Sequence, residues 1–174
     1  MLTIREYCAA DAASVGRLIA ETYRTFNLDF ATTAEQAEML GPFQFADSSE
    51  PAHQMAIAEA IAAPIVLVAE DAGTIAGVLR GGRVDHKQRT VLQSLFVHGR
   101  YHRQGIGRQL VARFEQECQN QGVTVLKLAS TLYAVPFYRA LGYKRTTGLR
   151  TLHSFSGSGG AYQPMKKVLD TKRA

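Results

Sequence analysis

Positions 95 to 108 read Leu95-Phe96-Val97-His98-Gly99-Arg100-Tyr101-His102-Arg103-Gln104-Gly105-Ile106-Gly107-Arg108, and their types and spacing suit the binding of a phosphate-bearing anion. The first turn of an α-helix leaves backbone N–H groups without intrahelical acceptors, and the aligned peptide dipoles add partial positive charge at the same end. Gly105 and Gly107 carry no Cβ, so phosphate oxygens can approach that backbone closely. Arg100, Arg103 and Arg108 add full charges nearby. A helix starting at Gly105 would make this stretch a pyrophosphate cradle; the plainer alternative is a strand-to-helix turn with solvated arginines. Two other phosphate motifs are excluded. A P-loop needs a Gly-Lys-Ser/Thr ending, which is absent. A dinucleotide fingerprint needs a third glycine where Leu110 stands and an acidic residue about twenty positions further on.

The elements that must position this loop are readable on both sides of it. Val91 to Val97 is a short, β-branched apolar run suited to a buried strand. After Gly105, the residues Ile106, Leu110, Val111, Phe114 and Cys118 share one helical face, and Gly122 stands where a glycine stop belongs. Val123 to Ala129 follows as a strand. Val135 to Leu141 follows as a short helix with Pro136 in its first turn and Gly142 after its end. Upstream, Leu2 to Tyr7 is a strand and Asp11 an N-cap, with Val15, Leu18, Ile19 and Tyr23 at helical spacing. From position 27 to 52 the pattern blurs into an aromatic-rich stretch with Phe26, Leu28, Phe30, Phe43 and Phe45 about it. A short helix over Ala56 to Ala63 ends at Pro64. Ile65 to Ala69 and Thr74 to Arg80 form a hairpin around Asp71-Ala72-Gly73. Two tail strands, near Tyr143 to His153 and Tyr162 to Leu169, are joined by a flexible link over 154–160. With no repeat and no linker, 1–174 reads as one domain. A hairpin followed by a β-α-β-α unit predicts a mostly antiparallel sheet with one parallel pair, because a strand–helix–strand crossover joins parallel neighbours.

Composition narrows the class. The chain has 174 residues, 46% hydrophobic and 20% charged, which is enough for a real core. No apolar run reaches the roughly 18 residues of a membrane span, and the first residues lack the layout of a signal peptide. Two cysteines, Cys8 and Cys118, do not make a disulfide scaffold, so the expected setting is reduced and cytoplasmic. The net charge of +5 suits an anionic ligand without requiring one. Nothing resembles a recognition helix, so nucleic acid is not an expected partner.

The loop resembles motif A of the GCN5-related N-acetyltransferase (GNAT) family, which runs Arg or Gln, two variable residues, Gly, one variable residue, then Gly or Ala, after a strand ending in Val. Here the pattern is His102-Arg103-Gln104-Gly105-Ile106-Gly107, with His102 departing at the first position. A second match, Ala134-Val135-Pro136-Phe137-Tyr138-Arg139-Ala140-Leu141-Gly142-Tyr143, resembles the Phe-Tyr element of motif B, with Thr131 where Asn is frequent. Pro164 to Leu169 resembles the last strand of many members. The resemblance covers about residues 64 to 145. It implies an α/β fold of the α+β type, a mixed, mostly antiparallel central sheet of six to seven strands with helices on both faces. It also implies acetyl-CoA as cosubstrate, no metal, and an amine acceptor. Family members are often dimers, so a second copy of the chain is an implied partner.

Carried over position by position, the resemblance makes Phe96, Val97, His102, Arg103, Gln104, Gly105, Ile106, Gly107, Arg108 and Tyr138 the acetyl-CoA-binding residues, with Phe96 and Val97 acting through backbone groups. It makes Tyr138 the general acid that protonates the leaving thiolate; Tyr138 also reads as a buried aromatic at a helix start. Many relatives carry a Glu on the strand before the cradle, where this chain has Gln93 and Ser94. The general base is therefore open among Glu70, Asp85, His153 and a water chain. His98 and His102 lie in a loop with no acidic neighbour and do not read as a zinc pair. Cys118 and Cys8 read as structural. The aromatic segment from Phe26 to Phe45 corresponds to the region that often shapes the acceptor pocket in the family, where an apolar or aromatic amine would fit; it reads equally as a plain cover for the sheet or a dimer interface. A non-catalytic acyl-CoA sensor of the same fold is the alternative function.

Overall fold

The computed structural model describes residues 1–26, 28, 31–151 and 161–169. Its strands are β1 (Leu2–Glu6), β2 (Ile65–Asp71), β3 (Thr74–Gly81), β4 (Arg89–Val97), β5 (Val125–Thr131), β6 (Lys144–Arg145), β7 (Arg150–Thr151) and β8 (Ala161–Val168). Its helices are α1 (Ala12–Phe26), α2 (Thr33–Leu40), α3 (Pro51–Ile61), α4 (Ile106–Asn120) and α5 (Val135–Ala140). The strands are hydrogen-bonded in the order β1-β2-β3-β4-β5-β8-β6, with β7 also on β8. The pairs β1–β2, β2–β3, β5–β8, β6–β8 and β7–β8 are antiparallel, while β4 and β5 run parallel, as a β-α-β crossover requires. This is the mixed, mostly antiparallel α+β sheet expected, with eight strands among the described residues where six or seven were expected. The surplus comes from β6 and β7, two residues each, too short to leave a periodic signature.

Contacts group the chain into two compact units, Met1–Gly81 with Ser94–Phe114, and Gly82–Gln93 with Glu115–Ala174. In the first unit, β2 and β3 turn on Ala72-Gly73, both at positive φ (47° and 82°), the geometry of a tight hairpin whose twist matches its strands. Val68 and Val78 face α1 and α3, forming a core with Val15, Leu18, Ile19, Ile57, Ile61 and Phe96. Gly77, one residue earlier on β3, points the other way, where an added Cβ would lie 3.1 Å from both Leu110 and the Phe96 carbonyl and 3.3 Å from Ile106. Alternation along β3 therefore places helices on both faces, and the missing side chain admits α4 closely.

In the second unit, β5 and β8 pair along seven residues, while the parallel ladder of β4 and β5 runs only from Arg89–Val125 to Val91–Lys127. α4 ends at Gly122, whose φ of 75° lets Val123 N–H reach Cys118 carbonyl (3.0 Å) and Gly122 N–H reach Gln119 carbonyl (3.0 Å), the two bonds of a Schellman stop. Cys118 is sealed in the core, where burial pushes its thiol up to about 12.

Four local expectations need correction. The blurred stretch after Asn27 contains α2, started by a reciprocal Thr32–Glu35 capping box, then a 3₁₀ turn over Gly41–Phe45. Its helical period is short enough to be hidden among the flanking aromatics. The helix expected over 56–63 begins five residues earlier, because Pro51 suits a first-turn position. Asp11 does not cap α1 but closes the 3₁₀ turn Ala9–Asp11, its carboxylate accepting from Cys8 N–H (2.8 Å). The tail strand expected from Tyr143 is broken into β6 and β7, and the link over 154–160 lies outside the described residues.

Candidate functional site

The loop after β4 is built from its own hydrogen bonds. A 3₁₀ turn over Gly99–Tyr101 follows the strand, with Tyr101 N–H to His98 carbonyl (2.8 Å) and His102 N–H to Gly99 carbonyl (3.1 Å). His98 Nδ1 accepts from Arg100 N–H (3.1 Å), which leaves the proton on Nε2, 3.3 Å from Glu21 on α1. His102 turns back on the strand. Its Nε2 lies 2.8 Å from the Val97 carbonyl, an acceptor only, so the ring donates; its face rests against Phe26 at 4.9 Å between centroids. Gln104 closes the loop by donating to Arg100 carbonyl (3.0 Å). His102 thus clamps the loop on itself through Nε2 while staying exposed, and both histidines take part in hydrogen bonds.

The chain then passes through two left-handed residues, Arg103 (φ 62°) and Gly105 (φ 81°), before α4 begins. The first intrahelical bond is Gln109 N–H to Gly105 carbonyl (3.0 Å). The N–H groups of Ile106, Gly107 and Arg108 therefore have no intrahelical acceptor. The space beside Gly105 is open, for a Cβ built on it would meet nothing within 4 Å. Arg103, Arg108, Gln104 and Gly105 are exposed, and neither arginine makes an ion pair with a described residue. Ile106 is different: at 2% exposure its side chain is core, and only its backbone faces outward. Phe96 is also core, edge-on to Tyr23 with centroids 5.7 Å apart. Val97 is half-buried.

Tyr138 belongs to the second unit. α5 starts at Val135-Pro136 and stops at Gly142 (φ 90°), with Gly142 N–H bonded to Arg139 carbonyl and Tyr143 N–H to Tyr138 carbonyl, each 3.0 Å. The Tyr138 ring is 7% exposed, held edge-on by Phe137 (5.0 Å) and Tyr143 (5.6 Å). Its hydroxyl forms no hydrogen bond among the described residues. Burial raises its pKa well above the ordinary phenol value, so it keeps its proton throughout the neutral range. Behind it, Tyr143 is packed under Lys167, whose ammonium lies 2.6 Å from Glu115 on α4. Burial and the Glu115 charge keep the Tyr143 hydroxyl protonated as well.

The carboxylates weighed as bases are otherwise engaged. Glu70 receives Arg5 Nε at 2.7 Å, and Asp85 receives Arg89 Nε at 2.8 Å, whose hydrogen bond holds its carboxyl far below the usual range. His153 lies outside the described residues. One polar side chain stands out that composition did not suggest: Arg80, half-buried at the end of β3, donates from Nε to Ser94 Oγ (2.9 Å). The signal was present in the alternation of β3, where Arg80 shares the face of Ala76 and Val78, both fully buried. Among the described residues, no group of three or more His, Cys, Asp or Glu could hold a metal ion, and no helix is long and apolar enough to cross a membrane.

The same architecture recurs in solved structures. The PaiA N-acetyltransferase of Thermoplasma acidophilum, solved with coenzyme A, superposes with a TM-score of 0.71 at 16% identity over 97% of this chain and 99% of that one. YncA from Salmonella typhimurium, solved with its cofactor acetyl-CoA, gives 0.68 at 21% over 100% and 97%. A GCN5-related N-acetyltransferase from Rhodopseudomonas palustris gives 0.72 at 20% over 96% and 95%. At these identities the likeness establishes the fold. No curated protein matches in sequence. The model of the acetyltransferase (GNAT) domain matches residues 31–169, most of the chain. The chain therefore belongs to the GNAT acetyltransferase family.

Proposed function

We propose that this protein is a cytoplasmic N-acetyltransferase that moves an acetyl group from acetyl-CoA to an amine by direct attack. The observation that carries the reading is the start of α4: three N–H groups without intrahelical acceptors, open space before Gly105, and two arginines with no counter-ion among the described residues. Backbone N–H groups of residues 104–108 and the Arg103 and Arg108 guanidiniums would hold the pyrophosphate, and backbone groups of Phe96 and Val97 the pantetheine and thioester. The amine nitrogen attacks the thioester carbonyl carbon, the C–S bond breaks, and sulfur leaves with the Tyr138 proton. The acceptor nitrogen gives up its own proton to water, since Glu70 and Asp85 are tied to arginines. The reading makes no use of a metal or of nucleic acid, and a homodimer is compatible with it.

Acetyl-CoA-dependent thiol release across chemically diverse amines tests this. Tyr138→Phe is expected to lower kcat about 100-fold or more while raising the acetyl-CoA KM far less. Unchanged turnover in Tyr138→Phe would remove the general-acid role. Tight acetyl-CoA binding with no release for any amine would favour the sensor alternative.

A further inference from the structure

Arg80 is a cation without a counter-ion in a half-buried place. Its Nε bonds Ser94 on β4 (2.9 Å), and Nη1 bonds the Ala60 carbonyl in the last turn of α3, the negative end of that helix. These contacts use two of five N–H donors. The Nη2 pair has no partner, and no carboxylate pairs with the guanidinium among the described residues. Arg5, in the same unit, shows the usual solution, with Asp11 and Glu70 both at 2.7 Å. Desolvation acts on Arg80 strongly enough to lower its pKa. A partly desolvated charge without an opposite partner is unfavourable, and a ligand that brings the partner removes the penalty.

The surroundings indicate which ligand. Ser94 stands two residues before Phe96 on β4, so both lie on one side of the strand, about 7 Å apart along it. Tyr23 meets the Phe96 ring, and its hydroxyl feels the Arg80 charge. Arg80, Ser94, Tyr23 and Phe96 thus border one spot beside the strand end that the acetyl-transfer reading gives to the thioester. We propose that Arg80 binds a carboxylate on the acceptor, so that the acceptor is an amine of the amino-acid class, with Ser94 fixing the orientation of the guanidinium fork. One guanidinium matches one negative charge, which favours a carboxylate over a phosphate dianion. The inference rests on the acetyl-transfer reading only for the identity of the ligand as acceptor.

The test uses amino acids of varied side chain, each matched with the amine left when its carboxylate is removed, plus a phosphate-bearing amine. Binding to the full chain with coenzyme A is measured by calorimetry, and thiol release is measured on the same pairs with acetyl-CoA. The carboxylated member should bind about 10- to 100-fold more tightly, as expected for charge-assisted hydrogen bonds. That preference should collapse toward one in Arg80→Gln and persist in part in Arg80→Lys, which keeps the charge but not the fork. Retained coenzyme A binding shows that each variant is folded; if Arg80→Gln is not, a several-fold loss of preference in Arg80→Lys decides. No binding of any carboxylated amine, a preference that survives substitution, or tighter binding of the phosphate-bearing amine overturns the inference. Arg80-dependent preference without thiol release would sink acetyl transfer and leave the carboxylate site standing; thiol release without the preference would do the reverse.

Discussion

Tyr138 keeps its proton because it is buried, Glu70 is hydrogen-bonded to Arg5, and the hydrogen bond from Arg89 holds the Asp85 carboxyl far below its usual range. A carboxylate held far below its usual range is a poor acceptor of an ammonium proton. With the proton passing to water as proposed, the acceptor amine reaches the thioester neutral through its own equilibrium with solvent. Below the pKa of the amine its neutral fraction rises tenfold per pH unit. The logarithm of kcat/KM should accordingly climb with a slope of about one and level off at the pKa of the acceptor, near 8 for the α-amine of a peptide and about 10.4 for a lysine-like amine. A pH–rate profile with two acceptors of different pKa checks this. A plateau near neutrality that is the same for both would reveal a protein base. At this scale the sequence was half legible. Gly105 and Tyr138 sit inside local motifs whose spacing carries meaning. Arg80 sits alone at a strand end, and its burial depends on Ser94 and Ala60, 14 and 20 residues away. His102 shows the same limit, since nothing local says that its ring turns back to Val97.

Among the elements, the start of α4 depends on one backbone conformation. Gly105 has φ 81°, where an L-residue is strained, yet its Cβ direction is empty. Gly105→Ala should cost about 1 kcal/mol of stability through φ alone. Its larger effect should be on ligand: the added methyl stands where phosphate oxygens would approach, so the acetyl-CoA Kd should rise about tenfold or more. Gly73 gives the matched comparison, at φ 82° in the hairpin turn and equally open. Gly73→Ala should lose similar stability and leave acetyl-CoA binding alone. Equal Kd values for the two variants would show that the α4 terminus does not touch the ligand. The elements were legible where one periodicity ran long enough, as in α1, α4 and the β2–β3 hairpin. They were illegible where pairing is decided at a distance: β6 and β7 are two residues each and exist because β8 offers an edge to both.

At the scale of the whole molecule, the fold follows from the succession of hairpin, parallel crossover and short helix, and the chain order shows that succession without any single residue proving it. What holds the beginning of the chain to that frame is electrostatic. Arg5 on β1 grips Asp11 with two hydrogen bonds (2.7 and 2.8 Å) and Glu70 on β2 with a third (2.7 Å), and Asp11 also accepts from Cys8 N–H. The hydrogen bonds from Arg5 outweigh burial and hold the Asp11 carboxyl at about 2. A folded-state pKa below the unfolded value means that the unfolded chain binds the proton first. The resulting stability is complete above pH ~4 and is lost as the pH falls toward 2, with about half gone by pH 3. The shift corresponds to roughly 2 kcal/mol. Asp11→Asn, which nearly preserves shape, should therefore lower the unfolding free energy by about that amount at pH 7. The gap from the natural chain should narrow below pH 4. Urea unfolding at pH 7, 5 and 3 measures it, and a gap that stays constant down to pH 3 would show that Asp11 stabilises the fold by packing rather than by charge.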